Sequence, residues 1–244
     1  MINRDCLVVI PTFNEAENIE SLILSILKNL PTAHVLIIDD GSPDGTFEIC
    51  QRISELNSNL FVFSRGLKLG LASAFVYGLK RGLAEGYRSV VLMDGDGSHQ
   101  VVDLVKLLRI STCDVKAQLV LGSRWVKDGS VINWPWHRIL LSRSGNTYAR
   151  WALGIEVHDI TAGFRVFRRE LLEKLDLAKI ESEGFCFHIE TTKIVSELQQ
   201  SIVEVPITFV EREFGKSKMN FAIAFESLRN VTIWGLKKRI PFFG

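Results

Sequence analysis

Short apolar runs alternate with longer segments of mixed character through the first half of the chain. The apolar runs predict strands over residues 6–10, 34–38, 60–64, 89–93 and 118–121. Between them, apolar side chains recur at helical spacing, which predicts helices over residues 15–30, 45–56, 71–85 and 101–110. Strands without polar alternation are typical of a parallel sheet that is covered on both faces. The pattern therefore predicts an α/β fold with a mostly parallel, twisted sheet flanked by helices.

The second half of the chain has a less regular pattern. Residues 122–151 are rich in Trp, Arg, Ser and Gly, and the next predicted helix covers residues 138–153. Residues 203–210 read as a strand interrupted by Pro206, which predicts a sheet edge or a strand end.

The last segment, residues 219–244, has apolar side chains in a helical pattern followed by Lys237, Lys238 and Arg239. Two interpretations are compatible with each other: a helix docked on the core, and an amphipathic, basic-ended helix that contacts an anionic membrane or a membrane partner.

Polar clusters follow four of the predicted strands, at residues 11–15, 39–44, 65–70 and 94–99. The carboxyl ends of parallel strands meet at one edge of the sheet, where α/β folds bind ligands. Asp94 and Asp96 are the most informative pair, because two carboxylates leaving a strand end suit Mg²⁺ or Mn²⁺ that also touches a phosphate. An Asp-x-Asp pair alone is common by chance, but the three neighbouring polar clusters favour a metal site here.

Composition narrows the possible classes of protein. A chain of 244 residues forms one large domain, with or without a small appendage. Its net charge of +1 gives no electrostatic reason to expect a nucleic-acid partner. The four cysteines are scattered, as expected of reduced thiols in a cytosolic protein. No apolar window reaches the roughly 18 residues of a membrane span, and neither a signal peptide nor a zinc or covalent-hydrolase motif is expected.

Several other side chains allow two interpretations. One of Asp39 and Asp40 is expected to cap the following helix, and the other to accept hydrogen bonds from a nucleoside. The glycine-rich residues 66–78 predict a tight turn and close helix packing. His99 is expected to be a structural hydrogen-bonding residue rather than a general base.

The cationic and aromatic residues of the second half also have two interpretations. A set of cations is either solvated or converges into a phosphate clamp; its members are Arg124, Arg138, Arg165, Arg212 and Lys218. Three tryptophans either fill the core or line a lipid groove; they are Trp125, Trp134 and Trp136.

Several of these residues belong to motifs that occur in a fixed order along the chain. The motifs are Pro11-Thr12-Phe13-Asn14-Glu15, Asp39-Asp40-Gly41-Ser42-Pro43-Asp44-Gly45, Met93-Asp94-Gly95-Asp96-Gly97-Ser98-His99, Gly122-Ser123-Arg124, Asp159-Ile160-Thr161-Ala162-Gly163-Phe164-Arg165 and Gly215-Lys216-Ser217-Lys218. Over residues 5–220 the sequence resembles the dolichol-phosphate or polyprenol-phosphate mannosyltransferases of the inverting glycosyltransferase family 2. The resemblance implies a Rossmann-like GT-A domain over residues 1–218, followed by the helical tail.

The resemblance also implies residue roles. The nucleotide sugar would contact Pro11, Phe13, Glu15, Ile38, Asp40, Asp94, Gly95, Asp96, Arg212 and Lys218. The metal, Mg²⁺ or Mn²⁺, would be held by Asp94, Asp96 and Ser98. The acceptor phosphate would contact Arg124, Arg138 and Ser142, and the catalytic set would be Asp94, Asp96 and Arg124. The sequence departs from the family at Phe13 (often Tyr), Gly95 (often Ala) and Gly97 (often Leu).

The implied reaction transfers mannose from GDP-mannose to a polyprenyl (dolichyl-type) monophosphate with inversion. Two alternatives stay open: a UDP-glucose-dependent polyprenyl-phosphate glucosyltransferase, and a non-catalytic sugar-nucleotide-binding subunit. The expected location is cytoplasmic, peripheral on the cytoplasmic face of a membrane, with the membrane surface and a membrane-embedded protein as partners.

Overall fold

The structure is a computed structural model that describes residues 5–212 and 221–239, with the backbone alone for residues 221–224. Its strands are β1 (Cys6–Thr12), β2 (His34–Asp39), β3 (Leu60–Ser64), β4 (Ser89–Leu92), β5 (Leu119–Ser123), β6 (Ser130–Ile132), β7 (Arg165–Arg168), β8 (Ile202–Pro206) and β9 (Thr208–Val210). Its helices are α1 (Ala16–Asn29), α2 (Thr46–Leu56), α3 (Leu71–Ala84), α4 (Val101–Cys113), α5 (Trp136–Leu153), α6 (Arg169–Leu172), α7 (Cys186–Glu197) and α8 (Phe221–Arg239).

Seven strands form one sheet in the order β3-β2-β1-β4-β7-β5-β8. All neighbours are parallel except β7, which runs antiparallel to β4 and β5. Alternate residues of β1 face opposite sides, as the pleat requires: Val8 and Ile10 pack with α1, α2 and α4, while Leu7 and Val9 pack with α3, α5 and α7. The expected α/β fold with a mostly parallel sheet is confirmed.

The predicted strand over residues 203–210 is two strands. β8 ends at Pro206 and lies at the edge of the sheet, as expected of a strand with proline. β9 leaves the sheet and pairs with β6 in a separate two-stranded ladder. The pattern also missed β7, which begins at Arg165, the last residue of the motif that starts at Asp159.

Helix α8 docks on α5. A Cβ atom on Gly235 would lie 2.8 Å from the carbonyl oxygen of Ala152, so the two backbones approach closely. The Tyr148 and Thr232 hydroxyls are 2.7 Å apart. Lys238 donates to the Leu153 carbonyl at 2.6 Å, and Arg239 donates to the Trp151 carbonyl at 3.0 Å, both at the C-terminal end of α5. The docked-helix interpretation therefore describes α8, while residues 219–220 and 240–244 lie outside the described part of the chain.

Within residues 5–212 and 221–239, none of the helices is both long enough and apolar enough to cross a bilayer.

Candidate functional site

The polar clusters meet in a cleft of about 780 Å³ at the carboxyl edge of the sheet. We name it the strand-edge cleft. Eight residues expected to contact a nucleotide sugar line it; they are Pro11, Phe13, Glu15, Asp40, Asp94, Gly95, Asp96 and Arg212. Ile38 does not line it, since its side chain is wholly buried in the core. Lys218 lies outside the described residues.

At one end of the cleft, Asp40 organises the glycine-rich turn. Its carboxylate accepts hydrogen bonds from Arg65 Nε at 2.6 Å and from the Gly70 backbone N–H at 2.9 Å. Gly70 has φ +91°, which favours glycine. Lys68, in the same turn, lies 4.1 Å from the ring centroid of Phe13. The expected tight turn is therefore present, and it brings a cation to the aromatic wall.

Asp39 is fully buried and binds the turn that follows β2. Its carboxylate accepts from the backbone N–H groups of Gly41 at 3.0 Å and Ser42 at 2.9 Å. The prediction that Asp39 or Asp40 caps α2 is wrong. Asp44 accepts the Thr46 N–H at 3.1 Å instead. The carboxylates of Asp39 and Asp40 bind the loops that follow β2 and β3.

Asp94 and Asp96 lie where the cleft meets a second cavity. Asp96 accepts the Ser98 N–H at 3.0 Å through Oδ1 and pairs with Arg212 at 2.9 Å through Oδ2. Gly97 has φ +76°, a conformation that a side chain disfavours, which accounts for glycine at this turn. Ser98 is buried, lines neither cavity, and its hydroxyl has no hydrogen-bond partner among the described residues.

His99 holds this loop. Its Nδ1 accepts the backbone N–H of Asp94 at 3.2 Å, and its ring stacks on Phe164 with centroids 4.6 Å apart. Burial lowers the pKa of His99 to about 4, so the ring is neutral and its Nδ1 lone pair is available for this bond. The structural interpretation of His99 agrees with this geometry.

The two aspartates could hold a divalent cation only if water or a substrate phosphate supplied the remaining ligands. Among residues 5–212 and 221–239, no three His, Cys, Asp or Glu side chains cluster as a metal cage. Hard cations bound through one or two carboxylates complete their shell with water and substrate phosphate oxygens. Asp94 and Asp96 beside an open cleft match that donor set.

The second cavity, of about 440 Å³, lies between α5 and α8 and shares Asp94, Asp96, Phe185 and Arg212 with the cleft. We name it the α5–α8 cavity. The residues expected to contact an acceptor all line it: Arg124, Arg138 and Ser142. Apolar side chains form much of the remaining wall, among them Trp134, Leu141, Ile189, Phe209 and Leu228.

Arg124 is held rigidly at the base of the α5–α8 cavity. Its Nε and one terminal nitrogen each donate to Asp159 at 2.7 Å, and that nitrogen also donates to Thr161 at 3.0 Å. The rings of Trp134 and Phe209 lie 5.4 and 5.5 Å from its guanidinium carbon. This aromatic enclosure fixes the guanidinium in place.

Arg138 is more loosely held. It donates to Glu211 and lies 4.0 Å from the ring centroid of Trp134. Ser142 follows four residues later on α5, on the same helical face.

Arg165 is not part of a phosphate clamp. It is fully buried and donates to the Ala162 and Ile160 carbonyls and to the hydroxyls of Thr191 and Thr192. Burial lowers its pKa to about 9. The local sequence around Arg165 is polar, like that around Arg124. In the structure, however, Arg165 joins the loop before β7 to α7.

The tryptophans divide between the two interpretations. Trp134 lines the α5–α8 cavity, whereas Trp136 is 75% exposed at the start of α5. Trp125 is half-buried beside Arg124 and Arg143. The core interpretation is therefore wrong for Trp136, and the position of Trp134 agrees with a groove.

Sequence reasoning missed three residues that shape the site. Asp159 was noted within a motif, but its pairing with Arg124 joins residues 35 positions apart. Nothing in the local sequence marks Lys68 or Glu211 as a site residue. Their contacts, with Phe13 and Arg138 respectively, form between segments that are distant in the chain.

Solved structures share the fold. Glucosyl-3-phosphoglycerate synthase from Mycobacterium tuberculosis, in complex with Mn²⁺, UDP-glucose and glycerol 3-phosphate, matches 97% of this chain and 80% of its own with a TM-score of 0.64 and 22% identity. A mannosyltransferase from Pyrobaculum calidifontis, in complex with GDP-Man and Mn²⁺, matches 98% of this chain and 65% of its own with a TM-score of 0.57 and 19% identity.

Sequence relatives are much closer. A polyprenol monophosphomannose synthase from Mycolicibacterium smegmatis is 44% identical over 235 residues, which are 96% of this chain and 88% of the relative. An undecaprenyl-phosphate mannosyltransferase from Micrococcus luteus is 43% identical over 234 residues, which are 96% of this chain and 95% of the relative. The family model described as glycosyl transferase family 2 matches residues 7–176. This chain, as its motifs indicated, belongs to glycosyl transferase family 2.

Proposed function

We propose that this glycosyltransferase transfers mannose from GDP-mannose to a polyprenyl monophosphate, with inversion at the anomeric carbon. The observation that carries the proposal is the junction of the two cavities. The strand-edge cleft and the α5–α8 cavity meet at Asp94 and Asp96, so a donor and an acceptor bound in them would face each other across the acidic pair.

The strand-edge cleft suits a sugar nucleotide. Phe13 offers an aromatic face, Lys68 a cation above it, and Arg212 a guanidinium at the end where the diphosphate would lie. A divalent cation held by Asp94 and Asp96 would supply neutralisation of the negative charge on the leaving diphosphate. Two neighbours whose structures were solved in complex with Mn²⁺ support a divalent cation, and the two aspartates would accept either Mg²⁺ or Mn²⁺.

The α5–α8 cavity suits a lipid phosphate because its two ends differ. Arg124 and Arg138 lie near the junction, where they would orient a phosphate. Towards the outside the wall becomes apolar, with Leu141, Phe225 and Leu228 at the opening. The names of the two bacterial relatives, which refer to polyprenol and undecaprenyl phosphate, support a prenyl chain as the ligand of this wall.

The reaction would need no strong general base. A phosphate oxygen of the acceptor is ionised near neutral pH. It would attack the anomeric carbon as the bond from that carbon to the GDP oxygen breaks, and GDP would leave on the opposite side. The protein's contribution is then in-line placement and charge stabilisation. A neutral, buried His99 fits this scheme, since no side chain has to accept a proton.

We further propose that the protein works peripherally on the cytoplasmic face of a membrane. Large apolar side chains are exposed on α5 and α8, the two helices that border the α5–α8 cavity, including Trp136 (75%), Phe225 (69%) and Leu140 (60%). Exposed apolar patches of this kind mark membrane or protein contacts. We propose residues 1–218 as the catalytic unit, with residues 219–244 completing the membrane-facing side, and a membrane-embedded protein as a further partner.

Calorimetry with unlabelled nucleotides tests the donor assignment. In the presence of Mn²⁺, GDP-mannose should bind more tightly than UDP-glucose. The reverse order would move the assignment to a UDP-glucose-dependent polyprenyl-phosphate glucosyltransferase. Binding of GDP-mannose without any transfer to a prenyl phosphate would favour the non-catalytic subunit.

A further inference from the structure

Glu211 and Arg212 are adjacent in the chain, yet their side chains bind partners that belong to two different sites. Glu211 accepts a hydrogen bond from Arg138 of the α5–α8 cavity. Arg212 pairs with Asp96 at 2.9 Å, at the junction with the strand-edge cleft. The two neighbouring side chains therefore reach two different sites.

The backbone of this segment is fastened on both sides. The Val210 N–H donates to the Ser98 carbonyl at 3.2 Å, in the loop that carries Asp96. The Glu211 N–H donates to the Ile132 carbonyl at 3.0 Å, at the end of β6 and shortly before α5. A displacement of Arg212 therefore acts on a segment that is tied to both sites.

Each of the three arginines that line the α5–α8 cavity has a carboxylate partner in this structure. Arg124 pairs with Asp159, whose side chain is fully buried, and Arg212 pairs with Asp96. Glu211 differs from Asp159 because its side chain is 24% exposed and it holds Arg138 through a single terminal nitrogen. Glu211 is thus the carboxylate that an incoming phosphate can displace, and while it stays it repels that phosphate.

Asp96 cannot serve Arg212 and a divalent cation equally well. A cation held by Asp94 and Asp96 would compete with Arg212 for the Asp96 carboxylate, and a donor diphosphate would attract the guanidinium that is released. Both events draw Arg212 away from its present position. Since Glu211 precedes Arg212 directly, a backbone shift at Arg212 would also move the carboxylate that holds Arg138.

We propose that Glu211 is a positioning residue that couples the two substrate sites. It holds Arg138 while the donor site is empty, and it releases Arg138 when the donor and the cation draw Arg212 from Asp96. Donor binding then strengthens binding of the acceptor phosphate. This inference rests on the proposed function, and it adds an order of substrate binding to it.

The test measures binding rather than turnover. The full chain is titrated with farnesyl phosphate, a short prenyl monophosphate, in buffer alone, with Mn²⁺ alone, and with GDP and Mn²⁺ together. Wild-type affinity should rise roughly 10-fold in the third condition, within the range usual for coupled sites. Glu211→Gln should bind farnesyl phosphate more tightly in buffer alone, and the ratio between conditions should fall towards one. Glu211→Asp should restore part of the ratio.

Glu173→Gln is the matched control, because Glu173 also pairs with an arginine, Arg169, but on the surface turn of α6 away from both cavities. It should keep the wild-type ratio. Wild-type binding that is unaffected by GDP and Mn²⁺ would overturn the coupling and leave the proposed function standing. A Glu211→Gln protein with the wild-type ratio would also overturn it. Failure of wild type to bind farnesyl phosphate in every condition would overturn both.

Discussion

Arg124 and Asp159 form a buried ion pair in which two guanidinium nitrogens each donate a 2.7 Å hydrogen bond to a different carboxylate oxygen. The Arg124 backbone N–H donates to the same carboxylate at 2.9 Å. The pair ties the end of β5 to the loop before β7, and so fixes the base of the α5–α8 cavity.

Removing Asp159 should therefore destabilise the whole protein. Asp159→Ala leaves a buried guanidinium without its carboxylate, which typically costs about 3–5 kcal/mol in the free energy of unfolding. Denaturant unfolding measures this cost. Glu173→Ala, which removes an exposed carboxylate from a half-buried arginine, should cost only about 0–1 kcal/mol. Equal losses in the two variants would mean that the Arg124–Asp159 pair is not structural.

Asp96 should be essential for activity and dispensable for folding. Asp96→Asn keeps the shape of the side chain but weakens both cation binding and the contact with Arg212. We expect transfer to fall roughly 10²–10³-fold, as when one preorganised charge-stabilising group is lost. Calorimetry should show weakened Mn²⁺ binding in the presence of GDP, while circular dichroism stays unchanged.

Glu55→Gln provides the control for Asp96, since Glu55 is exposed on α2. It should retain wild-type transfer. Full activity of folded Asp96→Asn, or of wild type in excess chelator, would contradict the metal assignment.

Arg138 should act on the lipid acceptor and not on the donor. Arg138→Ala is expected to raise the apparent KM for prenyl phosphate by about 10-fold or more, in line with the roughly 1.5–3 kcal/mol of a charged hydrogen bond. The KM for the sugar nucleotide should change little. Arg109→Ala, on the exposed face of α4, is the control. An increase confined to the sugar-nucleotide KM would reverse the assignment of the two cavities.

Much of the fold could be predicted from the sequence because its strands are simple apolar runs. β1 to β5 all lie where those runs occur. β1, β2, β4 and β5 are buried on both faces, and such a strand tolerates no polar alternation. β7 could not be recognised, because its four residues include two arginines and its antiparallel place between β4 and β5 is decided by long-range pairing.

The candidate site likewise contains residues that the local sequence predicts and residues that it does not. Asp94 and Asp96 follow a strand end, so their place at the sheet edge could be predicted from local sequence. The ion-pair partners of Arg124 and Arg138 could not, because Asp159 and Glu211 are 35 and 73 residues away along the chain. Arg165 was misread for a related reason: local polarity does not reveal whether a guanidinium points into a cavity or into the core.

The exposed apolar face of α5 should carry membrane binding. Trp136→Gln combined with Leu140→Gln removes two of the most exposed large apolar side chains that α5 presents. We expect weaker co-sedimentation with anionic liposomes and unchanged binding of GDP-mannose. Leu56→Gln is the control, since Leu56 is 85% exposed at the end of α2 and outside this face. Equal liposome binding by both proteins would place the membrane contact elsewhere.

The central claim is the transfer of mannose from a guanosine-linked donor to a prenyl phosphate. Its most direct test incubates the purified protein and Mn²⁺ with a short polyprenyl phosphate and a panel of sugar nucleotides, and analyses the lipid by mass spectrometry and by NMR of the anomeric proton. We expect a single product, mannosyl phosphoprenol of inverted anomeric configuration, formed from GDP-mannose only. Transfer of glucose from UDP-glucose in preference, or a product that retains the donor's configuration, would contradict the central claim.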